Sequence, residues 1–142
     1  MSVKRIYLAA PFFNAYELSC VRRAEEILTA RGFELFSPRL NEVRVDISDK
    51  ARWSRETFEN DRRGIDGCDA VVMMYYGAYS DSGTAWECGY AYAAGKPVVV
   101  VHLGDNSNLM VHEGSASNIT LCELSDYDFE KLPHKAYEGE MF

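Results

Sequence analysis

The stretch that decides the fold is DAVVMMYYGAYSDSGTAWECGYAYAAGKPVVVVHL, residues 69–103. Its two ends are apolar runs, 69–76 and 97–103, whose composition is typical of strands that are covered on both faces. Between them, residues 83–95 are small, aromatic and apolar residues in a pattern that predicts a helix. A strand, a helix and a further strand in this order indicate a parallel sheet flanked by helices.

The same alternation continues through the rest of the chain. Further strands are predicted at 5–10, 33–37 and 118–124. Further helical patterns lie at 15–32 and 51–64, with a short helix at 108–113 and a helical turn at 126–131. The predicted fold class is therefore α/β: a single doubly wound (flavodoxin-like) domain over residues 1–142, with a five-stranded parallel sheet flanked by helices.

The same fold class predicts where a site should lie. In doubly wound sheets, ligands bind at the carboxyl ends of the strands, beside the point where strand order reverses. Residues 38–50 are polar without a sustained period, and they predict an excursion loop of the kind that often covers a site.

Composition limits the classes of function. The 142 residues, 47% of them hydrophobic, suffice for one packed domain. With 22 acidic and 15 basic residues the formal net charge is -7, so neither nucleic acid nor an anionic membrane is an expected partner. The four cysteines form no C-x-x-C pair, which predicts reduced thiols and a cytoplasmic location. The apolar opening predicts a first strand rather than a signal peptide, and no run approaches the length of a membrane span.

Motif searches leave carboxylates as the candidates for chemistry. No G-x-G-x-x-G, Walker phosphate loop or G-x-S-x-G elbow follows a predicted strand. The three histidines, His102, His112 and His134, are too dispersed to suggest a metal site. We therefore expect neither a metal nor an organic cofactor.

Glu87 allows two interpretations. In the first, TAWE is a capping box in which Thr84 is the N-cap and Glu87 folds back onto its amide. In the second, Glu87 shares the sheet-facing stripe of the helix with Tyr90, Ala91 and Ala94, at the predicted ligand crevice. There the N-terminal dipole of the helix would keep a carboxylate in the first turn ionised, as a nucleophile requires.

Three further residues also have a purely structural interpretation. Asp61 aligns with Ser54, Phe58 and Ile65 on the apolar side of its helix, or it is a solvated residue that pairs with a nearby arginine. Asp81 fits a turn or N-cap residue before Ser82 and Gly83. Tyr7 is a strand-core aromatic whose hydroxyl finds some partner.

Two aromatic residues follow the first strand, and one apolar segment follows the fourth. Phe12 and Phe13 are interpreted either as stacking walls of a pocket or as plain core. Leu109 to Val111 are predicted to be exposed, which favours an interface with another subunit.

The chain resembles the nucleoside 2-deoxyribosyltransferase family over almost its whole length. The motifs that carry the resemblance occur in order: IYLAAPFF at 6–13, END at 59–61, DSGTAWECGYAYAAGKPVVVV at 81–101, NLM at 108–110 and YEGEMF at 137–142. The resemblance implies transfer of a 2-deoxyribosyl group between purine or pyrimidine bases, with retention of configuration, as part of deoxyribonucleoside salvage. The implied substrates are deoxynucleosides and free nucleobases.

The resemblance also implies a role for each matching residue. Glu87 is the nucleophile that forms a covalent glycosyl-enzyme, Tyr7 orients it, and Asp61 handles the proton. Asp81 and Gly83 of the central motif hold the substrate.

Further residues match positions that this family shares between subunits. Asn108 and Met110 complete a neighbour's site in a homo-oligomer, commonly a hexamer built from dimers, and the carboxylate of Phe142 lies near the base. No motif assigns base contacts within 38–50, so the base preference stays open.

Two alternatives from other classes remain at this stage. One is a nucleoside or deoxynucleotide N-glycosidase on the same scaffold, in which water replaces the second base. The other is a nucleotide-sensing module without catalysis, because fold alone does not determine function.

Overall fold

The computed structural model describes residues 2–79 and 81–142, which form a five-stranded parallel sheet with helices on both faces. The strands in chain order are β1 Arg5–Ala9, β2 Glu34–Phe36, β3 Ala70–Tyr75, β4 Val98–His102, β5 Asn106–Ser107, β6 Ser117–Ile119 and β7 Glu140–Met141. The large sheet has the order β2-β1-β3-β4-β6, and every neighbouring pair in it is parallel. The predicted fold class is confirmed.

Four helices connect the strands, each near its predicted position. They are α1 Ala15–Ala30, α2 Lys50–Asp66, α3 Ser82–Ala93 and α4 Leu109–Glu113. Side-chain oxygens cap the first two: Asn14 accepts a hydrogen bond from the amide of Glu17, and Asp49 accepts one from the amide of Arg52. These caps satisfy amides that have no partner within the first turn.

The core consists of two layers because successive strand residues point to opposite faces of the sheet. On one face, strand side chains such as Leu8 pack against α1 through Leu28. On the other face, Tyr7 and its neighbours pack with Ile65 of α2 and Ala91 of α3. Both faces are therefore apolar along the same strand, as the valine-rich runs predict.

Near the C-terminal end, one predicted strand is shorter than expected and one predicted helical turn is wrong. The strand predicted at 118–124 ends at Ile119, and a 3-10 turn follows over Cys122–Ser125. Thr120 and Glu123 begin this turn, because the side chain of each accepts the amide hydrogen bond of the other. The helical turn predicted at 126–131 is instead an irregular turn, in which the carboxylate of Asp128 accepts bonds from the amides of Glu130 and Lys131.

A small second sheet is absent from the sequence prediction. β5 and β7 pair in parallel over two residues each, which is too short for a hydrophobic period to indicate a strand. This pairing holds the end of the chain beside α4, since the amide of Leu109 donates to the carbonyl of Phe142 at 2.9 Å.

The excursion loop between β2 and α2 is confirmed, and no regular element lies between Phe36 and Lys50. Within the described part of the chain, no helix combines the length and the apolarity that crossing a membrane requires.

Candidate active site

A cleft of about 570 Å³ opens at the carboxyl ends of β1 and β3. Four segments contribute to its walls: the turn after β1, the loop between β2 and α2, the helix α2 and the start of α3. Its lining side chains belong to Ala10, Phe12, Phe13, Pro38, Glu42, Val43, Ile47, Trp53, Thr57, Asn60, Asp61, Asp81, Gly83 and Glu87. This position is the one that the fold class predicts for a ligand site.

The Tyr7 side chain ties the Glu87 carboxylate to the sheet. Tyr7 is fully buried in β1, its ring stacks on Phe36 with centroids 5.3 Å apart, and its hydroxyl donates to Oε2 of Glu87. Burial and the adjacent carboxylate raise the pKa of Tyr7, so the phenol keeps its proton and remains a donor. Both sequence interpretations of Tyr7, core aromatic and partner of Glu87, describe the same side chain.

The capping-box interpretation of Glu87 is wrong. Asp81, not Thr84, is the N-cap of α3, and its carboxylate accepts from the amides of Gly83 and Thr84. The hydroxyl of Thr84 also donates to Asp81, at 2.6 Å. Glu87 therefore lies in the second turn, away from the unpaired amides at the helix start, and its carboxylate is directed to Tyr7.

The expectation that the helix dipole keeps Glu87 ionised is also wrong. Burial raises the pKa of Glu87 to about 7, although the hydrogen bond from Tyr7 acts in the opposite direction. The negative charges of Asp61 and Asp81 raise this pKa further. The pKa of Glu87 therefore lies well above the usual range of a glutamate.

Asp61 lies on the cleft side of α2. It is partly buried, and this burial raises its pKa to about 6. The interpretation as a solvated partner of an arginine is wrong, because among the described residues Asp61 forms no ion pair. The adjacent Arg62 instead pairs with Glu59 at 2.7 Å and with Asp66 at 2.9 Å. The predicted alignment fails at Ser54, which is exposed outside the cleft.

The two phenylalanines after β1 are not core residues. Phe12 is 37% exposed and Phe13 is 80% exposed, and their rings stack on each other with centroids 6.1 Å apart. Both line the cleft, where aromatic faces can contact a planar ligand.

Three of the predicted substrate-binding residues lie elsewhere. Asn108 caps α4 by accepting from the amide of Met110 at 2.9 Å, and the carbonyl of Phe142 bonds to the amide that follows Asn108. Met110 is 76% exposed and Phe142 is 56% exposed, and none of the three lines the cleft of its own chain. Leu109 is exposed as predicted, but Val111 is partly buried against the core.

Several cleft residues were not among the predicted site residues, and four of them carry polar or aromatic side chains. Trp53, Thr57 and Asn60 lie on α2 at the helical spacing that leads to Asp61, which is the signal that could have identified them. Glu42 lies on the loop before α2, where no periodicity exists to indicate which side chains face inwards.

The cleft is strongly anionic. Its described lining includes four carboxylates, those of Glu42, Asp61, Asp81 and Glu87, and neither a lysine nor an arginine. Within residues 2–79 and 81–142, no cluster of three or more potential metal-ligating side chains occurs. Such a lining favours neutral or cationic ligands over phosphates.

Comparison with known proteins identifies the family. The sequence model of nucleoside 2-deoxyribosyltransferases matches residues 6–121. A nucleoside deoxyribosyltransferase from Lactobacillus leichmannii is 30% identical, with 100% of both chains covered. The chain belongs to the nucleoside 2-deoxyribosyltransferase family.

Two further comparisons bear on this family membership. The solved structure of a 2-deoxyribosyltransferase from Bacillus psychrosaccharolyticus matches with a TM-score of 0.88 and 35% identity, covering 94% of this chain and 99% of the other. A Thermofilum pendens protein provisionally named 2'-deoxynucleoside 5'-phosphate N-hydrolase 1 is 28% identical, covering 90% of this chain and 92% of the other. The nucleoside 2-deoxyribosyltransferase family thus has hydrolase relatives, and the prediction that the chain is a deoxyribosyltransferase-type enzyme is confirmed.

Proposed function

We propose that this chain transfers a 2-deoxyribosyl group from a deoxynucleoside to a second, free nucleobase, with retention, through a covalent glycosyl-enzyme on Glu87. The observation that carries the proposal is the contact between Tyr7 and Glu87 in a cleft that also contains Asp61. Tyr7 occupies only Oε2, and Oε1 of Glu87 has no hydrogen-bond partner among the described residues, so this oxygen is available to a sugar.

The first half of the reaction breaks the glycosidic bond. Oε1 of Glu87 forms a bond to the anomeric carbon while the bond between that carbon and the base nitrogen breaks, and the electron pair leaves with the base. Asp61, with its pKa raised to about 6 by burial, donates the proton that the departing base requires. The products are a glycosyl ester on Glu87, a free neutral base and ionised Asp61.

The second half reverses these steps with another base. A nitrogen of the incoming base attacks the anomeric carbon, the ester bond to Glu87 breaks, and the proton of the base returns to Asp61. Two inversions at the anomeric carbon give overall retention. Phe12 and Phe13 would stack on the bases, while Asp81 and Gly83 would contact the sugar.

The anionic lining supports a nucleoside rather than a nucleotide as substrate. A 5'-phosphate would bring a dianion close to four carboxylates, and Arg62, which lines the adjoining pocket beside Asp61 and Glu87, already pairs with Glu59 and Asp66. This charge distribution argues against a deoxynucleotide hydrolase.

The test supplies deoxyinosine as donor and adenine as acceptor, and it follows deoxyadenosine by chromatography. Wild-type protein should form deoxyadenosine, Glu87→Gln should not, and Glu26→Gln, an exposed carboxylate on α1, should behave as wild type. Intact-mass analysis without acceptor should show a protein heavier by one deoxyribosyl group. Free hypoxanthine without deoxyadenosine would instead identify a hydrolase.

We further propose that Asn108, Met110 and Phe142 act on a neighbouring subunit's cleft in a dimer-based homo-oligomer, as in a hexamer. None of these three residues lines the cleft of its own chain, and Leu109, Met110 and Phe142 are exposed; both observations support this arrangement. Mixed oligomers of Glu87→Gln and Asn108→Ala subunits should regain activity that neither variant shows alone. Mixtures as inactive as the parents would contradict sites shared between subunits.

A further inference from the structure

The last residues of the chain lie on the surface beside the start of α4. β7 pairs with β5 over two residues, and beyond it the amide of Phe142 donates to the carbonyl of Ser107 at 3.0 Å. The residues from Glu140 to Phe142 are all exposed. A two-stranded pair of this length is not stable by itself, so another contact must hold the chain end in place.

The ring of Tyr137 supplies that contact. It stacks on the ring of His102 at the end of β4, with centroids 4.4 Å apart, and on the ring of His112 in α4, with centroids 5.2 Å apart. These three residues form the His–Tyr–His cluster. The Tyr137 hydroxyl is inaccessible to solvent and has no hydrogen-bond partner among the described residues, so the ring makes the contact. Gly139 passes close over this hydroxyl, where any side chain would collide with it.

Asn108 is connected to both histidines of this cluster. Its amide donates to the hydroxyl of Tyr75 at 3.0 Å, and the Tyr75 ring meets the His102 ring edge-on, with centroids 5.8 Å apart. Its carbonyl accepts from the hydroxyl of Ser107 at 3.3 Å, and that hydroxyl accepts from Nδ1 of His112 at 2.8 Å. Both histidine rings therefore contribute to the placement of Asn108.

The hydrogen bonds of His102 determine which ring nitrogen carries its proton. Oδ1 of Asn118 accepts from Nε2 at 2.7 Å, and the Asn118 amide nitrogen donates to the carbonyl of Lys135 at 3.1 Å. This pattern fixes the orientation of the Asn118 amide, so Nε2 of His102 bears the hydrogen and Nδ1 does not. Nδ1 is inaccessible to solvent and lacks a partner among the described residues. A second proton on His102 would therefore be buried without an acceptor.

Protonation of His102 thus opposes the closed cluster. Burial lowers the pKa of His102, the hydrogen bond with Asn118 acts in the opposite direction, and His112 lowers this pKa further. Because the pKa is lower in the closed cluster than in the open one, closure is complete above about pH 6.5 and weakens as the pH falls below it. His112 differs, since its Nε2 lies 3.8 Å from the carboxylate of Glu113, which attracts a protonated ring.

The other charged groups around His102 do not supply the missing acceptor. Asp105, Lys135 and Glu138 line the same surface pocket as His102, and all of them are exposed. Lys135 pairs with Glu123 at 2.9 Å, and among the described residues neither Asp105 nor Glu138 forms an ion pair with His102. A proton on His102 therefore gains its partner only when the cluster opens to water.

On these grounds we propose that Tyr137 is a positioning residue for the shared site, and that protonation of His102 releases it. Stacked on both histidines, Tyr137 holds Asn108 and Phe142 where a neighbouring subunit's cleft requires them. When Nδ1 of His102 takes up a proton, the cluster opens and both residues lose their positions. The inference rests on the proposed function, in particular on the sharing of sites between subunits.

Hydrogen exchange at the amide of Phe142 measures closure of the cluster, because this amide donates to Ser107 only while β7 is docked. Tyr137→Leu removes the stack and should speed this exchange by about ten- to a hundredfold at about pH 7.5, which corresponds to the loss of two aromatic contacts. Tyr137→Phe should exchange as wild type, because it keeps the ring and removes a hydroxyl without a partner. Unchanged exchange in Tyr137→Leu would overturn the assignment.

The same measurement at about pH 5.5 tests release by protonation. Relative to an unfolded peptide, wild-type exchange should rise about tenfold between about pH 7.5 and about pH 5.5, since one proton is taken up over the unit below pH 6.5. His102→Phe keeps a stacking ring that cannot be protonated, so its exchange should not rise. His134→Phe is the matched control, because His134 is exposed and lies outside the cluster, and it should respond as wild type. Equal responses of wild type and His102→Phe would overturn release through His102.

Mixed oligomers separate positioning from a simple loss of structure. Tyr137→Leu alone should lose most of its transfer activity, and mixing it with Glu87→Gln subunits should restore activity, because each variant supplies the part that the other lacks. If Asn108→Ala regains activity with Glu87→Gln and Tyr137→Leu does not, Tyr137 is not a positioning residue. If neither mixture regains activity, the sharing of sites fails and the inference fails with it. If wild-type protein forms no deoxyadenosine, transfer itself fails, so the three failures are distinguishable.

Discussion

Replacing Tyr7 by phenylalanine tests how the sheet controls the Glu87 carboxylate. The substitution removes only the hydroxyl that donates to Oε2 of Glu87 and keeps the ring that stacks on Phe36 at 5.3 Å. The fold should therefore survive. A hydrogen bond to a charged group contributes about 1.5–3 kcal/mol, so its loss should raise the pKa of Glu87 from about 7 by about one to two units.

The effect on rate follows from the proton shared by two carboxyl groups. The proposed mechanism requires ionised Glu87 together with protonated Asp61, whose pKa lies at about 6. When Glu87 and Asp61 share one proton, a higher pKa of Glu87 draws that proton to Glu87. The state with ionised Glu87 and protonated Asp61 then becomes about ten- to a hundredfold rarer. We expect kcat/KM to fall by the same factor, and the alkaline limb of the pH profile to move up by about one to two units.

The assay is kcat/KM for deoxynucleoside cleavage with excess acceptor base, from about pH 5 to about pH 9. Tyr90→Phe is the matched control, because it removes another phenol-to-carboxylate hydrogen bond, that to Asp66 at 2.5 Å, outside the cleft. Its profile should match the wild-type profile. A Tyr7→Phe profile that superimposes on wild type would refute the claim that this hydroxyl sets the charge of Glu87.

Three further substitutions test the charges of the site and its loop. Asp61→Asn should lower kcat/KM by about 10²- to 10⁴-fold through loss of the proton donor, and an unchanged value in steady-state assays would exclude that role. Glu87→Gln should raise the free energy of unfolding, measured in urea, by about 3 kcal/mol above pH 7 and by nothing below pH 4.5. The reason is that burial raises the pKa of Glu87 in the folded wild-type protein from 4.5 to about 7, so the wild type loses stability as the pH rises through this window while the glutamine variant does not. An equal gain in the variant at low pH would contradict this explanation. Arg39→Ala leaves the buried charge of Glu25 without its ion-pair partner and should lower the free energy of unfolding by about 3 kcal/mol. Arg23→Ala removes an exposed ion pair with Glu26 and should lower it by less than about 1 kcal/mol. Equal losses would show that the ion pair between Arg39 and Glu25 adds no more stability than an exposed pair.

The fold was predictable because its strands are buried on both faces. A run such as PVVVV before His102 has no polar alternation, and this pattern in company with intervening helices indicates a parallel sheet. The failures lie where local side-chain bonds decide the structure. Thr120 and Glu123 begin a turn where the apolar residues around them favour a strand, and the β5–β7 pair is too short to show any period.

The candidate site was predictable as a set of residues and not as a geometry. Motif matching grouped Tyr7, Asp61, Asp81 and Glu87, but the contact between Tyr7 and Glu87 joins positions 80 residues apart, and no local pattern reports it. The capping-box motif failed for a related reason. Asp81 accepts from the amides of Gly83 and Thr84, whereas Thr84 as N-cap would accept from amides further along the helix, and the short motif does not show which of the two side chains is the N-cap.

The opposing effects on the pKa of Glu87 also bear on the lifetime of the proposed glycosyl-enzyme. Burial disfavours the ionised carboxylate, so it favours any neutral form, the ester as well as the protonated acid. The hydrogen bond from Tyr7 stabilises the carboxylate and therefore favours release of the sugar to the second base. Transfer between bases requires an ester that forms readily and also breaks readily. Burial of Glu87 favours formation of the ester, and the hydrogen bond from Tyr7 favours its breakage.

Tyr7→Phe should therefore shift the balance towards the ester. Mixed with a deoxynucleoside and no acceptor, the variant should accumulate more protein bearing one deoxyribosyl group than wild type does, in intact-mass spectra taken once the reaction has reached equilibrium. The expected increase in the ratio of ester to free enzyme is about ten- to a hundredfold at high pH, since it equals the lost stabilisation of the ionised carboxylate. At low pH, where Glu87 is protonated in the free enzyme, the increase should vanish. An ester fraction equal to that of wild type at high pH would show that the Tyr7 hydroxyl stabilises the ester as much as the carboxylate.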